Sequence, residues 1–178
     1  MNVEKYIDDG GVFIKPKCFS KSEFIEIQNK LKNLKLKETH QPLPVYFGNR
    51  YQAYPCYESD DKMITELMKI KITELFGRMI KDFNCVVRKT ISKELEKSKV
   101  NTKYGLIHTD DKKYACVLHL DQTTSGGTGL FINQFDKYPD IEIGSQPNRM
   151  IIYSGKRNHA PAHDYTFMDR TIIAGFWN

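Results

Sequence analysis

Apolar positions recur at a helical spacing in the first half of the chain and at the shorter spacing of strands in the second. Phe24, Ile27, Leu31 and Leu34 fall on one helical face. Ser20 and Glu23 stand at the spacing of a capping box, the hydroxyl accepting from the third helical N–H while the carboxylate accepts from the N-cap. A helix over about 21–35 is predicted, preceded by a short strand within Gly-Gly-Val-Phe-Ile-Lys-Pro at 10–16. A second stripe, Ile64, Leu67, Met68, Ile72, Leu75, Phe76, Met79 and Phe83, predicts a core-facing helix from after Ser59 to about Asp82. From 83 onward, short apolar segments alternate with Gly, Pro, Asn and Ser clusters. Strands are predicted at 85–91, 104–108, 114–120, 128–133, 140–144, 149–154, 159–162 and 170–176. Residues 38–58 keep no period: Pro42, Pro44 and Pro55 oppose helix, and tyrosines recur. That stretch reads either as a lid or binding loop, or as an irregular wrap whose tyrosines pack on the sheet.

A length of 178 residues predicts a single domain over 1–178, with helical support at 1–83 and a β-core at 84–178. No apolar run approaches the ~20 residues of a membrane span, and Met-Asn-Val-Glu-Lys-Tyr-Ile-Asp-Asp holds no signal-peptide core. The expectation is a soluble, cytoplasmic protein with no membrane partner. Cys18, Cys56, Cys85 and Cys116 are widely spread and read as reduced, buried thiols. The net charge of +5 is uneven: residues 1–103 carry 20 basic and 14 acidic side chains, residues 104–178 carry 7 and 8. The lysine-rich half is a solvated surface or a face that attracts nucleic acid or an acidic protein.

The chemistry sits in the second half. His108 and Asp110 stand two apart where a strand runs out into a turn, so both side chains share a face and can reach one metal ion. A later histidine would complete two imidazoles and one carboxylate, a set that suits iron(II) and leaves coordination positions open. His159 and His163 both precede Arg170. Arg170, Ile172, Ala174 and Phe176 share a strand face, and a guanidinium turned inward there needs an anion. His40 and His119 have no partner pattern and read as structural or surface residues. Gly126-Gly127-x-Gly129 lacks the βαβ context of a dinucleotide fingerprint.

Taken in order, five segments resemble the motifs of the iron(II)/2-oxoglutarate-dependent oxygenases, most of all the small prolyl-4-hydroxylase-like branch. They are Tyr-Gly-Leu-Ile-His-Thr-Asp (104–110), Gly-Gly-Thr-Gly-Leu-Phe (126–131), Asn148-Arg149 before Met-Ile-Ile-Tyr-Ser-Gly, Asn-His-Ala-Pro-Ala-His (158–163) and Asp-Arg-Thr-Ile-Ile (169–173). The resemblance covers 84–178 well and the earlier half in outline. It implies an α+β, mainly β fold: a double-stranded β-helix, or cupin-like jelly roll, with two N-terminal supporting helices. It implies a dioxygenase, a hydroxylase that uses Fe(II), 2-oxoglutarate and O₂ and releases succinate and CO₂. His108, Asp110 and His159 would be the catalytic metal ligands, because His163 stands too near Arg170 for the family's spacing. Arg170 would pair with the cosubstrate's distal carboxylate, assisted by the hydroxyl of Tyr104, with Tyr114 competing. The substrate implied is a peptide, an amino acid or another small molecule. Two other readings stand beside it. One is a nucleic-acid-binding protein or base-modifying oxygenase that uses the basic half and the tyrosine-rich loop. The other is a jelly-roll binding module without activity.

Overall fold

The alternation of buried and exposed positions from residue 83 onward resolves into two antiparallel sheets in a computed structural model of the chain. The structure describes residues 2–42, 53–91, 93, 104–121, 126–162 and 169–178. In chain order the elements are α1 (Val3–Asp8), β1 (Phe13–Lys15), α2 (Lys21–Lys32), β2 (Lys37–Pro42), β3 (Ala53–Ser59), α3 (Lys62–Phe76), β4 (Asn84–Thr90), β5 (Tyr114–His119), β6 (Gly127–Phe131), β7 (Ile141–Gly144), β8 (Arg149–Ser154), β9 (Asn158–Ala162) and β10 (Arg170–Trp177). The major sheet has the order β1-β8-β5-β10-β4-β3-β2 and the minor sheet β7-β6-β9. The fold is mainly β, a jelly-roll sandwich with helices on one side, as the resemblance implied.

Each face of the major sheet has its own core. Ala115, Val117, Ile151, Tyr153, Ile172 and Ala174 point inward and meet Leu130 and Ile143 of the minor sheet. The alternate residues, among them Tyr114, Cys116, Leu118, Ile152, Ile173 and Trp177, point outward and are covered by Ile27 of α2 and by Ile64, Met68, Ile72 and Phe76 of α3. This period of two is why one sheet can carry the helices on one face and the minor sheet on the other. The four cysteines are all buried thiols outside any disulfide.

The capping box at α2 forms as predicted, with Ser20 and Glu23 bonding reciprocally. The helix predicted to reach about Asp82 instead stops at Phe76. Gly77 takes the left-handed conformation (φ 66°) and returns its N–H to the Thr73 carbonyl. Met79, counted in the helical stripe, is therefore exposed, while Phe83 reaches the core from outside the helix. Within 38–58, irregular structure was expected, yet β2 and β3 pair from Lys37↔Glu58 to Pro42↔Ala53. The prolines do not prevent this: β2 is an edge strand, and Pro55 lies just beyond Cys56↔Thr90, the last pair that β3 makes with β4. The tip of that loop, 43–52, lies outside the described residues. The six-residue α1 was not predicted; Asn2 caps it by accepting from the Lys5 N–H.

Segment 104–108 joins β9 through two bridges, Tyr104↔Ala162 and His108↔His159, rather than as a full strand. Between the bridges, three residues (105–107) stand opposite two (160 and 161), so the segment carries one extra residue. Such a bulge re-aims side chains, and here it lies directly before Asp110.

Candidate metal centre

A bridged segment, the start of β9 and one turn bring His108, Asp110 and His159 together. The backbones of the two histidines exchange hydrogen bonds (His108 N to His159 O, 3.0 Å; His159 N to His108 O, 2.9 Å), so their rings lie side by side with centroids 4.4 Å apart. One donor atom from each of the three residues lies within 4.8 Å of the others. His159 Nε2 is 3.4 Å from Asp110 Oδ2, and His108 Nε2 is 3.9 Å from Asp110 Oδ1. Ligands held ~2.1 Å from a common ion at right angles lie ~3 Å apart, so a small inward movement closes the set.

The donor atoms are prepared for a cation. Each imidazole turns Nδ1 to a backbone carbonyl two residues earlier, His108 to Leu106 at 2.8 Å and His159 to Arg157 at 2.9 Å. A ring nitrogen facing a carbonyl carries the proton, which leaves the Nε2 lone pair toward Asp110. Burial, followed by the neighbouring His108, lowers the His159 pKa to about 3, so that ring is neutral. Asp110 Oδ2 is buried with no hydrogen-bond partner among the described residues, and burial raises the pKa of its carboxyl. An unpaired buried carboxylate beside two imidazole lone pairs is costly alone and favourable around a divalent ion.

The turn that carries Asp110 is fixed from outside. Asp110 N–H donates to Gly155 O at 2.7 Å, and Lys156 Nζ donates to the carbonyls of Asp110 (3.1 Å) and Asp111 (2.9 Å). A Cβ at residue 155 would lie 2.3 Å from the Lys112 carbonyl, so glycine is needed where this turn crosses the end of β8. Lys156→Met should weaken metal binding by roughly tenfold while leaving all three donor side chains in place. Metal titration of the two proteins checks this; equal affinities would remove Lys156 from the support of the site.

A cavity of ≈ 110 Å³ opens from the three donors between the sheets, and Arg88, Thr128, Tyr153, Arg170, Ile172 and Phe176 are among the residues that line it. Arg170 is 6% exposed, and its terminal nitrogen donates to Gly127 O at 2.9 Å. Thr128, next to that glycine, has a buried hydroxyl with no partner among the described residues. His119 lies on the inner face of β5, opposite Ile172 and Arg149. It is fully buried with both ring nitrogens unpartnered among the described residues, and burial first, then Arg170, lowers its pKa to about 3.

Tyr104 and Tyr114 stand elsewhere. The Tyr104 ring packs edge-on to Phe131 and its hydroxyl donates to Glu142 at 2.5 Å, so it does not line the cavity. Tyr114 points to the outer face, where its hydroxyl meets Glu4 and Asp8 of α1. His163 lies outside the described residues, as does the side chain of His40. Reasoning from sequence read His119 as a structural or surface residue and did not single out Thr128 or Arg88. The signal for His119 was its parity with Ala115 and Val117, which turns it inward.

His119 and His159 also set a pH dependence. Unfolded, each ring titrates near ~6.5, but in the fold only near about 3. Their contribution to stability is complete above the unfolded pKa and is lost as pH falls through the window down to about 3. The slope reaches about 1.4 kcal/mol per pH unit for each ring. Asp110, with its raised pKa, works in the opposite sense. Urea midpoints of the metal-free protein should therefore drop from pH 6.5 to 4.5, and His119→Leu should make that drop shallower. An unchanged slope in the variant would contradict the assignment.

No protein-family model matches the sequence, and no curated protein matches it. Solved structures do match. The chain is similar to an oxidoreductase of the 2OG-Fe(II) oxygenase family from Burkholderia pseudomallei, with a TM-score of 0.68 and 14% identity over 98% of this chain and 88% of that one. It is similar to the non-heme alpha ketoglutarate dependent epimerase SnoN of nogalamycin biosynthesis (TM-score 0.66, 12% identity, 98% and 78%). It is also similar to a prolyl hydroxylase from Trichoplax adhaerens in complex with a hypoxia inducible factor peptide (TM-score 0.65, 11% identity, 99% and 87%). The chain has the fold of the 2OG-Fe(II) oxygenases over essentially its whole length.

Proposed function

We propose that the protein is an iron(II)- and 2-oxoglutarate-dependent oxygenase that oxidises a peptide, amino acid or other small molecule. The observation that carries this reading is the convergence of His108, Asp110 and His159 at one end of a cavity that also holds the buried cation Arg170. Two neutral imidazoles and a carboxylate suit Fe(II) and leave positions open for a chelating cosubstrate and O₂. Bound there, iron with 2-oxoglutarate supplies oxidising power, and the products are succinate, CO₂ and an oxidised substrate.

The chain's own residues then have separate tasks. His108, Asp110 and His159 hold the ion, with tautomers set by the Leu106 and Arg157 carbonyls. Arg170 binds the distal carboxylate of the cosubstrate through its guanidinium fork. His119, neutral and therefore still an N–H donor, and the Thr128 hydroxyl are the groups beside Arg170 fitted to assist it, in the place expected of Tyr104. Tyr153, Ile172 and Phe176 keep water from the space between. Hydroxylation is the outcome favoured here for the substrate, although similar structures carry out epimerisation as well.

The lysines of α2 and α3 bear on the nucleic-acid alternative. These helices cover the outer face of the major sheet, and the cavity opens from its inner face. Two of the lysines are also engaged in ion pairs, Lys30 with Asp61 and Lys71 with Glu23 and Glu74. A basic surface there does not lead a strand to the metal. Succinate release with Fe(II), 2-oxoglutarate and O₂, screened over peptide, amino-acid and oligonucleotide pools, tests the reading. Release stimulated by a peptide or amino-acid pool supports it, and release stimulated by oligonucleotides alone would replace it with the base-modifying alternative.

A further inference from the structure

The cavity holds a second arginine that the cosubstrate reading does not use. Arg88 is on β4, its Cα paired with Ile172 on one side and Glu58 on the other, and its side chain lines the cavity. Its charge acts on Asp110, His159 and Tyr153, so it lies toward the metal end, whereas the charge of Arg170 acts on His119 and Tyr153. Among the described residues its side-chain partner is Glu58, which takes the Nε–H at 2.5 Å. The two terminal nitrogens remain, with donors only and no acceptor. The cavity wall that Arg88 shares has apolar members, Val117, Ile172, Ala174 and Phe176, beside polar ones such as Asp110 and Thr128. The guanidinium is half-buried and oriented by the Nε–H bond to Glu58, so its remaining fork is presented to the cavity in the planar geometry that matches a carboxylate.

We propose that Arg88 is the anchor for a carboxylate of the primary substrate, so that the substrate class is small organic acids, amino acids included, with the reacting C–H held between Arg88 and the metal. This rests on the oxygenase reading of the same site. Glu58 fixes the guanidinium through Nε and partly offsets its charge, which sets the carboxylate affinity below what a lone arginine would give.

The test uses two matched probes, isobutyrate and isobutyramide, which differ by one anionic group. Each is titrated by NMR into full-length protein loaded with Zn(II), as an inert stand-in for iron, and with 2-oxoglutarate. Isobutyrate should bind the wild type about tenfold or more tightly than the amide. Arg88→Gln should abolish that preference and Glu58→Gln should enlarge it. The two changes run in opposite directions, so either variant alone keeps the proposal falsifiable. Equal binding of the probes, or a preference that survives in Arg88→Gln or is unmoved in Glu58→Gln, would overturn it. Calorimetry separates the two sources of carboxylate. The 2-oxoglutarate Kd should stay within about twofold in Arg88→Gln, as expected for a group outside that contact. A rise as large as that of Arg170→Ala would hand Arg88 to the cosubstrate and overturn the proposal. If 2-oxoglutarate fails to bind the zinc-loaded wild type, the oxygenase reading fails instead. The probes are then compared on zinc-loaded protein alone, where the same dependence on Arg88 is required.

Discussion

Replacing Asp110 by alanine should abolish metal-dependent activity and lower Fe(II) affinity by more than ~100-fold, the upper end of what losing a mere supporting contact costs. His108→Ala and His159→Ala should each do the same. The reason is geometric: three donors already lie within 4.8 Å of one another, and Asp110 supplies the only negative charge among them. The metal-free Asp110→Asn protein should be at least as stable as the metal-free wild type. Its buried Oδ2 has no hydrogen-bond partner among the described residues, and the burial that disfavours its anion outweighs the attraction of His108, Arg88 and Lys156. Iron titration and urea melts on the same samples separate the two effects. Unaltered iron affinity in His108→Ala and His159→Ala would remove the ligand assignment, and a unfolded Asp110→Asn would make the residue structural.

Arg170→Ala should raise the 2-oxoglutarate Kd by about 30-fold or more, with iron affinity little changed. Truncating one partner of a buried, charge-assisted bidentate pair costs roughly 2–5 kcal/mol, at ~1.4 kcal/mol per decade of Kd. Arg170 is 6% exposed at the inner face of β10, where bulk water does not replace a lost anion. Arg170 is not one of the three grouped donors, which is why iron should hardly notice. Arg170→Lys should recover part of the loss, since the charge stays and the fork is gone. Calorimetry with 2-oxoglutarate on the metal-loaded proteins reads this directly, and equal Kd values for wild type and Arg170→Ala would refute it.

The strands of the β-core were legible because each shows its inner and outer residues alternately: Val117 and Ile172 go to the cavity side, Leu118 and Ile173 to the helices. The helix boundary at Phe76 was not read, although Gly77 marks it, because the apolar spacing runs on through Met79 to Phe83. Pairing of β2 with β3 was obscured by Pro42 and Pro55, whose tolerance depends on an edge position that only the tertiary arrangement creates. At the site, His108 and Asp110 announce themselves by a two-residue spacing, but the contact between His108 and His159 depends on a bulged bridge between distant segments. His119 carried no motif, so its placement beside Arg170 appears only once β5 and β10 pair. Tyr104 illustrates the converse. The parity that places it with His108 is interrupted by the bulge, and its hydroxyl ends on Glu142 rather than in the cavity.

The most direct test of the central claim is the binding of 2-oxoglutarate to the protein with and without a divalent metal, measured anaerobically by calorimetry. The account predicts one 2-oxoglutarate per chain on the Fe(II)-loaded protein, weakened at least tenfold when the metal is removed or when Asp110 is alanine. Binding that is indifferent to the metal, or no binding to the Fe(II)-loaded wild type, would contradict it.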